Sequence, residues 1–199
     1  MSTARDLMIV TLDAGEEQPV QQGELSLALA GAETVDLLAA EALGLEGDRV
    51  VPRLTPRPDD RLLDEAAASL VRGTPYETLE DWLWRRGRGL STAYLAALEE
   101  EGLITWRRSH WMPFRGVRAV LADTDARRRS AARWAAGEPV LATLAGAVGV
   151  RAPDAVPDPA DDTVLTVLAA VHDALMELEA VRQRRAIEDA AFANVWRGA

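Results

Sequence analysis

The stretch that follows Asp162 confines this chain to a helical architecture. Val164, Leu168, Val171, Leu175 and Leu178 recur by four and three. That spacing lays one apolar stripe along an α-helix for about four turns. A stripe of this kind is stable only against other apolar surfaces, so the rest of the sequence must supply them.

Most of the chain does so in helical form. TARDLMIVTLDAGEEQPV opens with a short helical or extended apolar piece and turns at DAGEEQP. Leu25, Leu29, Val35, Leu38 and Ala42 keep helical spacing, with Gly31 a point where the helix can break and Gly44 and Gly47 supplying cap and turn. DDRLLDEAAASLVRG starts on an Asp N-cap and presents Leu62, Leu63, Ala66, Leu70 and Val71. TPYETLEDWLWRRGRG opens on the cap-plus-N1 pair Thr74 and Pro75, with acids early and Arg85, Arg86 and Arg88 late, as the helix dipole favours. LSTAYLAALEEEGLI turns Leu90, Tyr94, Leu95 and Leu98 inward and closes at Gly102. TDARRRSAARWAAGEPVLATLAGAVGV reads as two helices divided at GEP.

The β content is small. RVVPRL reads as a short strand limited by its proline, and LITWRRSHWMPFRGVRAVLAD as a hairpin. Residues 151–162 carry three prolines and form a loop before the last helix. The expected fold is mainly α: one domain over residues 1–199, a helical bundle with surrounding amphipathic helices and one or two small β hairpins.

Composition removes several chemistries. There is no cysteine, which excludes disulfides, Cys-ligated zinc and a thiol nucleophile. All 22 basic residues are arginine, so neither a P-loop lysine nor a Schiff-base lysine exists. GRGLST, from Gly87 to Thr92, lacks the third glycine of a nucleotide loop, and no G-x-S-x-G elbow occurs. His110 and His172 lie in different elements without metal-ligand spacing. Asp59/Asp60 and Asp161/Asp162 sit where helices begin, and Glu99 to Glu101 lie on a helix surface. The reading is a non-enzymatic protein without cofactor or metal. LMIV, from Leu7 to Val10, is too short for a signal-peptide core, and no run approaches the roughly 20 apolar residues of a membrane span. A cytoplasmic, non-integral protein is expected.

Charge is segregated. Trp82 to Ala135 hold eleven arginines against Glu99, Glu100, Glu101, Asp123 and Asp125, a net of +6, whereas the whole chain carries −10. Within that segment DWLWRRGRGLS, Asp81 to Ser91, gathers two tryptophans and three arginines. It fits a platform for an anionic headgroup, the entry to a nucleic-acid-reading helix, or an ordinary basic helix end. The second option is a winged-helix regulator, with LSTAYLAALEEEGLI as recognition helix and the Arg-rich hairpin as wing. That helix offers Ser91, Thr92 and Tyr94 followed by three glutamates, which phosphates repel, so nucleic acid is disfavoured. An anion site draws on Arg85, Arg86 and Arg88, on guanidinium–phosphate geometry, and on free N–H groups where the next helix starts near Leu90. Trp82 and Trp84 lie about 200° apart around a helix, so one is buried and the other stands at an interface.

The order DLMIVTLD, LSLALAGAETVDLLAAEALGLEGDRVV, LLDEAAASL, ETLEDWLW and LAALEEEGLI resembles the Golgi phosphoprotein 3 family from about Thr3 to Trp134. Its most specific pieces are Leu62 to Ala66 and Leu98 to Ile104. The resemblance implies a mostly helical single domain without catalytic activity, attached peripherally to membranes. It also implies an adaptor role toward another protein and a basic pocket for the phosphatidylinositol 4-phosphate headgroup. Of the pocket positions, Arg88 matches. Ser91, Ala30 and Gln21 stand where the family carries two basic residues and a tryptophan. Arg85, Arg86 and Trp84 complete the candidate anion-binding set. Arg182, Arg184 and Arg185, beyond the apolar stripe of the last helix, offer a docking point for a partner or a second copy.

Overall fold

A computed structural model describes residues 2–15, 19–55, 58–108, 117–151, 159 and 161–197. Its axis is α2 (Gln22–Ala39), apolar on nearly every side, with Leu27, Ala28, Leu29, Ala30, Ala32 and Leu37 buried. A helix without a polar face belongs inside a bundle. Packed on it are α1 (Thr3–Ala14), α3 (Arg61–Ala68), α4 (Leu79–Arg86), α5 (Leu90–Glu100), α7 (Pro139–Ala147) and α8 (Asp162–Arg197). α6 (Asp125–Ala135) lies against α1. Two antiparallel hairpins, β1 (Leu43–Glu46) with β2 (Arg49–Pro52) and β3 (Ile104–Arg108) with β4 (Val117–Leu121), complete the mainly α architecture. The tip of the second hairpin, His110 included, and most of the Pro-rich stretch lie outside the described residues.

The last helix behaves as its stripe predicts. Val167, Leu168, Val171, Ala174 and Leu175 are buried, Val164 and Leu178 are half-buried, and His172 is exposed. α2 does not break at Gly31. A Cβ there would stand 2.3 Å from Val171 Cγ2, so the glycine lets α8 come close to α2. Nor does Gly44 cap α2, because it lies within β1. The helix is stopped instead by Glu41, whose φ of 54° is left-handed, just past the Ala40 C-cap. The Ala42 N–H then reaches back to the Leu37 carbonyl at 2.9 Å, closing the turn as a Schellman motif does. At the end of α5, Gly102 holds φ 70° in the expected place.

Side-chain caps open α1, α3, α4, α6, α7 and α8, whereas α2 and α5 begin without one. Asp60 accepts from the N–H groups of Leu62 and Leu63 at the head of α3. Of the apolar face foreseen for α3, Leu62, Leu63 and Ala66 are buried and Val71 is exposed, because the helix ends at Ala68 and the chain turns away. α4 begins four residues later than the Thr74–Pro75 signal. Thr78 is the N-cap, accepting from the Asp81 N–H at 3.0 Å, because Glu77 and Thr78 lie along the first hairpin: the Val50 N–H donates to the Glu77 carbonyl at 3.0 Å and Thr78 bridges to Arg49. At α1, the Asp36 carboxylate of α2 accepts from the N–H groups of Thr3 and Ala4 at 2.9 and 3.1 Å. Burial pushes the Asp36 carboxyl up, and those hydrogen bonds work against the rise.

Trp82 is fully buried, and its indole N–H donates to Thr34 Oγ1 at 2.9 Å. Thr34→Val keeps the shape and orphans that donor. We expect a loss of about 2 kcal/mol, the cost of a buried unsatisfied donor, measured by urea unfolding. A loss below about 0.5 kcal/mol would show that the bond is dispensable.

Candidate functional site

The turn Gly87–Arg88–Gly89 joins α4 to α5 and presses on α2. A Cβ on Gly87 would lie 2.7 Å from the Leu83 carbonyl oxygen and 3.3 Å from both Leu27 Cδ2 and the Ser26 carbonyl oxygen. Backbone therefore touches backbone at this elbow. Beside it, a cleft of about 320 Å³ opens between the first turns of α2, the elbow and α8. Gln22, Gly23, Ser26, Trp84, Arg88 and Ser91 line it, with Leu27 and Leu178 as apolar floor.

The elbow divides the arginine cluster. Arg88 is exposed at the cleft, and among the described residues its side chain has no acid partner. Arg85 turns away to Glu77, with Nε to Oε1 at 2.6 Å and Nη2 to Oε2 at 2.8 Å. It also lies over the Trp82 ring, 5.2 Å from the centroid. The bonds that Arg85 donates to Glu77 hold its guanidinium above its usual value.

Arg86 points into the bundle. Its Nε and Nη2 reach the two carboxylate oxygens of Glu33 at 2.7 and 2.9 Å, and Nη2 also donates to the Leu62 carbonyl at 3.0 Å. Tyr94 adds a third donor, its hydroxyl 3.0 Å from Glu33 Oε1. Glu33 is completely buried. Burial pushes its carboxyl above the usual range, while Arg86 and then Tyr94 favour the carboxylate. The same burial works against the Arg86 charge, and Glu33 more than restores it. Burial and the Glu33 carboxylate both push the Tyr94 hydroxyl up, so it remains a donor. This trio fixes α4 and α5 on α2.

Trp84 is half-buried at the cleft while Trp82 is interior, the division that their spacing requires. Ser91 lines the cleft but is nearly buried, tied to α2 by Ser26 Oγ at 2.9 Å and by the Gln22 carbonyl at 3.3 Å. The start of α5 is less open than a free helix end. The Leu90 N–H goes to the Gly87 carbonyl at 3.2 Å and the Ser91 N–H to Ser26 Oγ at 3.1 Å. Gln21 is exposed just before α2, next to the lining residue Gln22. Ala30 is fully buried and outside the lining, three residues beyond Leu27 along α2.

Much of the basic segment is neutralised on folding. Arg127 pairs with Asp13, Arg128 with Asp123 and Asp125, and Arg133 with Asp6 and Glu138. Sequence reasoning missed Gln22, Ser26 and Leu178 as cleft residues, and missed Glu33 as the anchor of Arg86. The signal for Glu33 was present: the run LALAGAETVDLL holds two carboxylates, Glu33 and Asp36, among apolar residues, and each demands a partner. The exposed face of α5 carries Thr92, Ala96, Glu99 and Glu100, acidic where a groove-reading helix needs donors. Among the described residues no helix is long and apolar enough to cross a membrane.

No curated protein matches this chain. The family model for Golgi phosphoprotein 3 (GPP34) matches residues 4–195, nearly the full length and past the point where the resemblance read from the residues fades. The chain therefore belongs to the Golgi phosphoprotein 3 (GPP34) family.

Proposed function

We propose that this protein is a non-catalytic adaptor that docks peripherally on the cytoplasmic face of an anionic membrane. Arg88 receives a phosphate-bearing headgroup, and the rest of the surface serves a protein partner. The observation that carries the reading is the position of Arg88, unpaired among the described residues, at the rim of a cleft that also holds Trp84. A guanidinium binds phosphate oxygens in pairs, and a half-buried indole suits the headgroup layer of a bilayer. Ser91 positions the first turn of α5 beneath the ligand. Arg85 joins only if the headgroup displaces Glu77, and Arg86 supports the site from inside. With a single free arginine, the cleft selects for anionic charge ahead of any one phosphoinositide.

Co-sedimentation with phosphatidylcholine vesicles of graded phosphatidylserine or phosphatidylinositol 4-phosphate content tests the reading. We expect binding that rises with anionic content and fades with salt. Arg88→Ala should weaken it about fivefold, the effect of roughly 1 kcal/mol for one arginine near an anionic surface. Arg85→Ala should change it little. Absence of binding at low salt, or indifference to Arg88→Glu, would sink the proposal.

A further inference from the structure

α8 is apolar on two opposite sides. One side is the stripe buried against the bundle. On the other, Leu165, Ala169, Met176, Ala180 and Ile187 face solvent, with Met176 59% and Ile187 69% exposed. Ile187 and Leu178 are nine residues apart, which places them about 180° apart around the helix. Met176, Ala180, Gln183 and Ile187 follow one another by four, three and four, the seam of a coiled coil. The helix also outruns its support. Arg182 pairs with Glu24, and every described side chain from Gln183 to Asp189 is exposed, although α8 continues to Arg197. The exposed stretch from Gln183 to Asp189, about 10 Å of helix, gains little from propensity alone.

Charge within about two turns of the same point is polarised: Glu177 and Glu179 precede it and Arg182, Arg184 and Arg185 follow it, with Glu188 and Asp189 further out. Turning a second α8 end for end brings opposite signs together. With Met176 packed on Ile187 of the second copy, Ala180 meets Gln183, and Glu177 falls beside Arg184 on the flank, twice by symmetry. The parallel arrangement would instead set Asp173 against Asp173. Since the seam lies opposite the bundle face, the second helix approaches from the side away from the first bundle.

We propose that α8 is a self-association surface, pairing antiparallel with α8 of a second copy about a two-fold axis near Val181 and Arg182. Gln183 within the seam would specify register, and the small alanine and polar glutamine would keep the pairing weak and reversible.

Sedimentation velocity of the full chain from about 1 to about 100 µM tests this, a range that resolves a micromolar equilibrium. We expect a concentration-dependent dimer that Ile187→Glu abolishes while the bundle keeps its cooperative urea unfolding. Glu177→Arg should weaken it about tenfold by opposing like charges, and Glu177→Arg combined with Arg184→Glu should restore it. Glu179→Arg should be silent, because that position meets Arg184 only in a parallel pair. A monomer at every concentration overturns the proposal. So does a dimer indifferent to Glu177→Arg, or one broken by Glu179→Arg.

Discussion

Arg86→Ala should cost about 3–5 kcal/mol of folding stability, the penalty for leaving one member of a buried ion pair alone. The variant strands the Glu33 carboxylate, which is fully buried and keeps only the Tyr94 hydroxyl. The deficit should depend on pH with a definite sign. Burial already raises the Glu33 carboxyl, and removing Arg86 takes away the strongest opposing influence, so it rises further. A carboxyl raised in the folded state binds a proton there more readily than in the unfolded chain. The variant is therefore least impaired below the unfolded value, about 4.3, and loses stability as pH climbs through the raised folded value. Urea titrations of both proteins between about pH 4 and pH 8 should show the gap widening upward. Exchange of all three partners, Arg86→Met with Glu33→Leu and Tyr94→Phe, should recover most of the loss, since an apolar trio of similar volume leaves no buried donor unpaired. A gap that stays flat across pH would mean that Glu33 finds another cation or water in the variant.

Gly31→Leu should be of similar size. The first added carbon would stand 2.3 Å from Val171 Cγ2 and 3.8 Å from Leu144 Cδ2, with three more carbons to place. Val171 is β-branched and stiff within a helix, so it cannot swing aside, and α8 must shift as a body. We expect about 3 kcal/mol, the upper part of the overpacking range, and a melting temperature lower by roughly 6–12 °C. The penalty exceeds the gain of about 1 kcal/mol in helix propensity on replacing glycine. Val171→Ala opens space at the same point, so the double variant should be more stable than the sum of the single effects predicts. Additive losses would mean that the two positions do not touch.

These two sites also mark what one sequence can reveal. The helices were legible wherever an apolar period met a cap, as at Asp60, Gly102 and the α8 stripe. Period alone could not tell Leu43 and Leu45 in β1 from a continuation of α2, because short apolar runs serve both structures. Gly31 carries the residue type of a break and the role of a contact, a choice set by Val171, 140 positions away. The tryptophan pair was resolved by angle. The arginine cluster was not, since charge at neighbouring positions gives no hint of partners 8 and 53 residues distant. Arg85, Arg86 and Arg88 look alike in sequence, and folding assigns them to the surface, the interior and the cleft.

The close backbone contact at Gly87 has a consequence for how the cleft changes over time. On the proposed function, an anion arriving at Arg88 would find a loop already held against α2, leaving the ordering cost of one side chain, about 0.5–1.5 kcal/mol. Recognition would thereby be uncoupled from folding. Exposed lining positions such as Arg88 and Thr92 could then be exchanged one at a time, altering which anion is held while the scaffold beneath keeps its shape.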